Sequence, residues 1–309
     1  MRILITGATG FIGSALVPQL LARNHHLTAF VRDISAAQAK LPASPNIEYI
    51  NTLDYFQHLD QFDAVINLAG EPIFHRRWTD EQKRRLKDSR VALTQQLADL
   101  INRSTTPPCF ISGSATGYYG DGQEQVLHEG SVPAINFIGE LCQAWEAAAL
   151  QARTRVCIMR TGMVLGKQGG ALAKIRPLYS CCLGAKLGSG QQYWAWIALE
   201  DMVNAMLFLL EQDACQGVFN LVAPHAIRQK DFHTMLGRAM KRPQQPFAAP
   251  ALMLKCLLGE RASLLLDSQH IQPQHLLAQG FQFRYPTLSS YLPDLILVLL
   301  QTSWWVFMV

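Results

Sequence analysis

Ser112-Gly113-Ser114-Ala115-Thr116-Gly117-Tyr118-Tyr119-Gly120 sets hydroxyls and phenols close together, directly after the apolar run Cys109-Phe110-Ile111. A hydroxyl such as that of Ser114 can bond a substrate carbonyl, and a phenol such as Tyr118 or Tyr119 can exchange a proton with it. The plainer reading is that both tyrosines shape a pocket or stack on a bound ring. A second stretch, Gly7-Ala8-Thr9-Gly10-Phe11-Ile12-Gly13, spaces its glycines three and three between the run Ile3-Leu4-Ile5 and Ser14-Ala15-Leu16-Val17. Such a turn lets the backbone approach a pyrophosphate and offers it the free N–H groups of a helix start. Glycines kept only for tight packing are the alternative, and the flanking strand and helix patterns weigh against it.

Leu27-Thr28-Ala29-Phe30-Val31 supplies a further strand about 20 residues beyond the last glycine, where a ribose contact is expected. It ends in Arg32, whose guanidinium suits a ribose 2′-phosphate and favours NADP(H) over NAD(H). Asp33 follows at once and is the competing ribose ligand, in which case Arg32 is a solvated charge. Leu68, Ala69 and Gly70, after Asn67, close a strand where small residues allow a cofactor to lie against the backbone, an ordinary strand exit being the equal alternative, and Ser112 in the next strand is a further cofactor-side candidate. Arg160-Thr161-Gly162-Met163-Val164 ends a later strand, and backbone contacts from Gly162 to Val164 to a nicotinamide ribose are expected there.

On the substrate side, Arg76 and Arg77 stand in the loop after the fourth strand. They belong to a basic stretch that continues through Lys83, Arg84, Arg85, Lys87 and Arg90. Helical spacing pairs Asp80 with Arg84 and Glu81 with Arg85, and leaves Lys83, Lys87 and Arg90 as a solvated face. Gln191, Trp196 and Asp201 are further lining candidates; Trp196 as core and Asp201 as a helix cap are the competing readings. The histidines show no metal-ligand spacing beyond the adjacent His25-His26, so no metal site is expected.

These residues must be held by a repeating frame. Runs at Ile47–Ile50 and Ala64–Leu68, a helix over Asp80–Asn102, a strand at Cys109–Ser112, a helix near Phe137–Ala152 and a strand at Val156–Arg160 alternate in βαβ order. Thr79 with Gln82 resembles a capping box at the start of the long helix. The order predicts an α/β fold with a Rossmann-type, doubly wound parallel sheet and the ligand at its strands' carboxyl ends. After about residue 165 the alternation loosens, with a helix over Glu200–Glu211, a strand at Val218–Leu221 and short helices near Asp231 and Leu252. The expected division is a dinucleotide-binding core over 1–165, a mixed segment over 166–295 that completes it and forms a smaller C-terminal substrate lobe, and an apolar tail over 296–309.

The Thr6–Gly13 turn, Asn67–Gly70, and Ser114-Ala115-Thr116 followed by Tyr119-Gly120 together resemble the extended short-chain dehydrogenase/reductases, sugar-nucleotide epimerases included. More narrowly, the chain is similar to the atypical branch known as epimerase family proteins. The stretches that carry this are Gly70-Glu71-Pro72-Ile73 with Arg77-Trp78, Trp145-Glu146, Arg160-Thr161-Gly162, Gly188-Ser189-Gly190-Gln191, Ala223-Pro224 and Gly280-Phe281. The resemblance runs from residue 1 to about 295 and implies an NADP(H)-binding Rossmann domain with a small C-terminal lobe. It also exposes two departures. The superfamily's catalytic tyrosine, with lysine four residues on, has no counterpart here: the two registers read Phe137 with Leu141, or Gly139 with Gln143. Trp196-Ile197 is followed by Ala198 where related sequences carry histidine.

A phenol with no nearby cation titrates near ~10, so the missing lysine weakens ordinary short-chain catalysis. Two readings follow. One is an NADP(H)-dependent oxidoreductase or nucleotide-sugar-epimerase-like enzyme on a small polar carbonyl or hydroxyl compound; the other is an NADPH-binding or redox-sensing protein with little catalysis. A net charge of +4 with no aromatic-interleaved basic run excludes nucleic acid as the expected partner. Seven cysteines without a C-x-x-C pair fit a reducing cytoplasm, and the strand beginning at Arg2 leaves no room for a signal peptide. The tail, from Leu295-Ile296-Leu297 to Trp304-Trp305-Val306-Phe307-Met308-Val309, is shorter than the ~20 apolar residues of a spanning helix, which disfavours a membrane anchor. Nothing in the sequence specifies an oligomeric state.

Overall fold

A computed structural model describes residues 1–303 other than Gln168, Gln244 and Pro246, with side chains up to Leu295. Its first half alternates as the apolar runs require: β1 (Arg2–Thr6), α1 (Phe11–Ala22), β2 (His26–Phe30), α2 (Ile34–Lys40), β3 (Ile47–Ile50), β4 (Ala64–Asn67), α3 (Asp80–Asn102) and β5 (Cys109–Ala115). A 3₁₀ turn at Thr116–Tyr119 and the short β6 (Val126–Leu127) lead to α4 (Phe137–Leu150) and β7 (Val156–Thr161). Then come β8 (Met163–Leu165), α5 (Gly170–Ser180), β9 (Lys186–Leu187), β10 (Tyr193–Trp194), β11 (Trp196–Ala198), α6 (Leu199–Glu211) and β12 (Gly217–Leu221). The remainder holds β13 (Ile227–Arg228), α7 (Gln229–Ala239), β14 (Ala248–Ala249), α8 (Ala251–Leu258), α9 (Ser263–Leu266), β15 (His270–Ile271), α10 (Gln274–Ala278) and α11 (Leu288–Ser303).

Seven strands form the central sheet in the order β12-β7-β5-β4-β1-β2-β3, a Rossmann-like α/β arrangement. The ladders of β1 with β2 and β4, of β2 with β3 and of β4 with β5 are parallel. From β1 the chain winds one way to β2 and β3 and then returns to continue outward from β4. The switch point therefore lies between β1 and β4, where ligands bind in such sheets. On one face Leu4, Val65, Phe110 and Ile158 pack against Leu97 and Ile101 of α3 and Ala149 of α4. Each of the larger side chains among these contributes about 1.5–3 kcal/mol by leaving water.

Caps set where several helices begin. Asp33 accepts from Ala36 N–H at 2.9 Å to start α2, Thr79 Oγ1 from Gln82 N–H at 3.2 Å to start α3, and Asn136 Oδ1 from Gly139 N–H at 2.8 Å to start α4. α1 is different, because its N-cap is Gly10, which brings no side-chain acceptor.

The chain divides into two compact units. One comprises residues 1–118, 135–160 and 203–219; the other comprises 119–134, 161–202 and 220 onward. In the second unit Trp194, Trp196, Phe232, Leu236, Tyr285 and Tyr291 belong to one buried cluster. The expected tail at 296–309 falls largely outside the described residues: α11 carries the backbone to Ser303, and side chains from 296 and all of 304–309 are not described. Among the described residues no helix is long and apolar enough to cross a membrane.

Candidate cofactor cradle and active site

The turn after β1 is shaped by what its glycines allow. Gly7 has φ +69°, and a Cβ there would lie 2.6 Å from the Leu68 carbonyl carbon, so only glycine lets the β1 turn close onto the β4 exit. A Cβ on Gly13 would fall 2.2 Å from the Gly7 oxygen, which lets α1 start directly on the turn. Gly10 N–H donates back to the Gly7 oxygen at 2.9 Å. With no side-chain cap at Gly10 and no acid in its first turn, α1 presents the positive end of its dipole and its first N–H groups to an incoming anion. Thr9, Gly10, Phe11 and Ile12 all retain exposed surface there. The cradle therefore fits a phosphate group of a dinucleotide.

The opposite wall is the β4 exit, held by a buried polar chain. Thr6 Oγ1 donates to Asn67 Oδ1 at 2.7 Å and accepts from Leu68 N–H at 3.2 Å and Ala69 N–H at 3.1 Å. Asn67 Nδ2 and Trp145 Nε1 both donate to Thr94 Oγ1, at 2.7 and 2.9 Å. Glu71 is held by adjacent residues of α3: its N–H donates to Ser89 Oγ at 3.1 Å and its carbonyl accepts from Arg90 Nη2 at 2.9 Å. Arg90 is thus turned inward, which corrects its assignment to a solvated face; burial lowers its pKa from the ordinary guanidinium value. Glu81 and Arg85 do form the expected surface pair. Arg32 is exposed beyond β2, while Asp33 is engaged as the cap of α2.

At the end of β5 the hydroxyls are already in use. Ser114 is 5% exposed and its Oγ donates to Glu146 Oε1 at 2.6 Å. Glu146 also accepts from Arg160 Nε and Nη2, both at 2.8 Å, a bidentate ion pair with side chains 7% and 4% exposed. The Arg160 guanidinium lies 3.4 Å from the centre of the Tyr118 ring. Ser112 is fully buried in the strand. Tyr119 is buried and donates to Asn220 Oδ1 at 2.6 Å, and Asn220 Nδ2 in turn donates to the Gln272 carbonyl at 3.0 Å.

The α4 face turned toward this strand end is neither of the two registers expected from sequence. A Cβ on Gly117 would lie 2.2 Å from Ile138 Cγ2, and Cys142 Sγ–H donates to the Ala115 carbonyl at 3.7 Å. Ile138, Cys142 and Glu146 form the facing row, so the positions four apart carry an alkyl group and a thiol. Burial, with the Glu146 charge adding to it, pushes the Cys142 thiol up to about 12. It stays protonated near neutrality.

Other sequence candidates are placed as follows. Arg76 and Arg77 are exposed on the loop before α3, and Gln191 is exposed beside β10. Trp196 is fully buried, donates through Nε1 to the His225 carbonyl at 3.1 Å and stacks near Tyr291, which makes it core and not lining. Asp201 is also fully buried; its carboxylate accepts from Arg284 and Tyr285 N–H, both at 2.9 Å, and burial raises its pKa. Gly162 N–H donates to the Leu221 carbonyl at 3.2 Å and Met163 N–H to the Ala195 carbonyl at 2.8 Å, so those two donors are taken, and Val164 is buried in β8. Sequence reasoning gave no role to Thr6, Thr94, Cys142, Glu146 or Asn220. A signal existed for Glu146: it is a lone charge on the buried stripe Ile138, Leu141, Cys142, Trp145, Ala149.

Comparison with known proteins fits this geometry. The model of the NAD dependent epimerase/dehydratase family matches residues 3–221. The chain belongs to that family. A domain of unknown function (DUF1731) matches residues 249–295 of this family member. The chloroplastic SDR39U1 homolog of Arabidopsis thaliana, an epimerase family protein, is 37% identical over 97% of this chain and 87% of its own length. An epimerase family protein of Mycobacterium leprae is 38% identical over 93% of each chain. The crystal structure of human epimerase family protein SDR39U1 (isoform 2) with NADPH superposes with a TM-score of 0.86 at 32% identity, covering 96% of this chain and 99% of that one. MoeE5 in complex with UDP-glucuronic acid and NAD shares the fold at 22% identity, with a TM-score of 0.77.

Proposed function

We propose that this family member binds NADP(H) at the switch point between β1 and β4 and acts as an oxidoreductase or epimerase-like enzyme on a small polar carbonyl or hydroxyl compound. The observation that carries the reading is the uncapped start of α1 closed against the β4 exit by Gly7. The NADPH in the human SDR39U1 structure supports the same cofactor here. When bound, the nicotinamide supplies hydride acceptance or donation. Arg32, exposed while Asp33 caps α2, is the residue assigned to the ribose 2′-phosphate. Ser114 and Tyr118 are the assigned substrate-facing groups; Ser114 Oγ offers lone pairs while its O–H donates to Glu146 Oε1, and Tyr118 is held by its face on Arg160. Arg76, Arg77 and Gln191 are assigned to substrate binding on their exposure. With its cysteines unpaired, the chain is assigned to a reducing cytoplasm.

Fluorescence titration with NADPH and NADH tests the cofactor. Tight NADPH binding that weakens about tenfold or more in Arg32→Glu, with NADH gaining ground, supports the assignment. Absence of NADPH binding overturns it. A second reading, cofactor binding with little catalysis, is favoured by the Ile138–Cys142 row and by the engagement of Ser114. A panel of carbonyl compounds and sugar nucleotides separates the two: turnover of any member, lost in Tyr118→Phe, favours the enzyme, and none across the panel favours the binder.

A further inference from the structure

The turn that ends α5, the segment before α8 and α8 itself are laced together within the second unit. Gln245 N–H donates to the Gly184 carbonyl at 3.3 Å and its Nε2 to the Cys182 carbonyl at 2.7 Å. β14 pairs with β9 in parallel, Ala248 opposite Lys186 and Ala249 opposite Leu187, and Gly188 N–H donates to the Ala249 carbonyl at 2.8 Å. These neighbouring segments carry Leu178, Leu183, Phe247, Leu252, Met253 and Leu257, each 45–73% exposed. On α8 the outward arc is Leu252, Met253, Cys256 and Leu257 while Leu254 is buried beneath, so this helix is apolar on both sides. Exposed apolar side chains scattered singly are ordinary; a group of them on adjoining segments marks a contact surface.

The charge around this surface is mostly of one sign. The chain holds no Asp or Glu between Glu146 and Glu200, nor between Asp231 and Glu260. Exposed Lys174 stands one helical turn before Leu178, exposed Lys241 and Arg242 follow α7 just before Gln245, and exposed Lys255 flanks the α8 arc. The next acids along the chain are Glu260 and Asp267, the latter within electrostatic reach of Lys255.

We propose that this face docks on an anionic lipid surface, with Phe247, Leu252 and their neighbours entering the headgroup–acyl boundary and Lys174, Lys241 and Arg242 meeting the lipid phosphates. Two copies packed through the same face would set like charges against each other. A protein partner would need pockets shaped to each protruding Leu, Met and Phe, whereas acyl chains accept such side chains without matching shape. The contact is superficial, needs no spanning helix and uses none of the residues assigned to cofactor or substrate.

The test is flotation of the full chain with vesicles of pure phosphatidylcholine and with vesicles containing about one third phosphatidylglycerol, at low and high salt. The wild type should float with the anionic vesicles, bind the neutral ones at least about tenfold less tightly, and lose binding as salt rises. Phe247→Asp with Leu252→Asp, and separately Lys241→Glu with Arg242→Glu, should each weaken binding to anionic vesicles about tenfold or more. Both double variants should melt close to the wild type, since all four side chains are exposed. No binding to anionic vesicles overturns the proposal, and so does binding that is equal for the two lipids or unchanged in either double variant. A wild-type dimer in sedimentation that Phe247→Asp with Leu252→Asp dissolves assigns the face to a second copy and equally overturns it. If the aspartate variant fails to fold, the charge variant decides: the expected loss supports the proposal and unchanged binding overturns it.

Discussion

The β1–α1 turn and the β5–α4 junction are both built at strand carboxyl ends, yet they treat their polar groups in opposite ways. At the turn, Gly10 withholds the side-chain cap that α2, α3 and α4 each receive, leaving N–H groups for a ligand. At the junction, Ser114, Glu146 and Arg160 satisfy one another, and Tyr118 is packed against the guanidinium. A region prepared for a ligand keeps donors unspent; one that has turned its donors inward is prepared to hold shape. The turn is therefore built for binding, and the inner network is built to hold the strand end in shape.

The largest expected effect breaks the inner network. Glu146→Ala leaves Arg160 buried without its partner and should cost about 3–5 kcal/mol in urea denaturation, with much of the loss recovered when Arg160→Met is added. No recovery in the double variant would mean that the pair is not the unit described here. Next, Gly13→Ala places a methyl against the Gly7 oxygen and should reduce NADPH affinity at least about 100-fold by titration, because the helix start can no longer close on the turn. Binding within a few-fold of wild type would remove the cradle as the explanation.

Ser114→Ala should cost only about 1–2 kcal/mol of stability, since Glu146 keeps both bonds from Arg160, and NADPH affinity should hold. A large loss of affinity would move Ser114 from the inner network to the cofactor. The smallest effect concerns the thiols. Burial pushes Cys142 and Cys157 up to about 12, a direction that favours the neutral thiol, so neither becomes a thiolate until pH rises toward that value. Iodoacetamide at pH 8 should label exposed Cys181 and Cys256 and spare Cys142 and Cys157 until denaturant is added, read by mass spectrometry. Rapid labelling of Cys142 would contradict its burial in the facing row of α4.

Arg90 looked solvated because charge spacing along a helix shows which residues are neighbours, not which side the helix buries; its place on the stripe with Leu86, Thr94 and Leu97 was the available clue. Trp196 reads from the sequence as pocket or core, and only the carbonyl of His225 and the Tyr291 ring decide for core. The register of α4 slipped by one residue because a motif whose tyrosine and lysine are both absent has no anchor in sequence. Gly117, whose lack of a side chain leaves room for Ile138, supplies that anchor in space.

What the sequence determined by itself is what depends on neighbours along the chain. The glycine spacing, the strand and helix order, the cap at Thr79 and the lack of a tyrosine–lysine pair are all fixed within a few residues, where backbone sterics and local hydrogen bonds act. Only the tertiary structure decided how each donor is used. Ser114 meets Glu146 across 32 positions and Tyr119 meets Asn220 across 101, and such partners are chosen by which strand and helix ends the sheet brings together. A hydroxyl's type is written in the chain, but whether its proton is available depends on what is buried beside it.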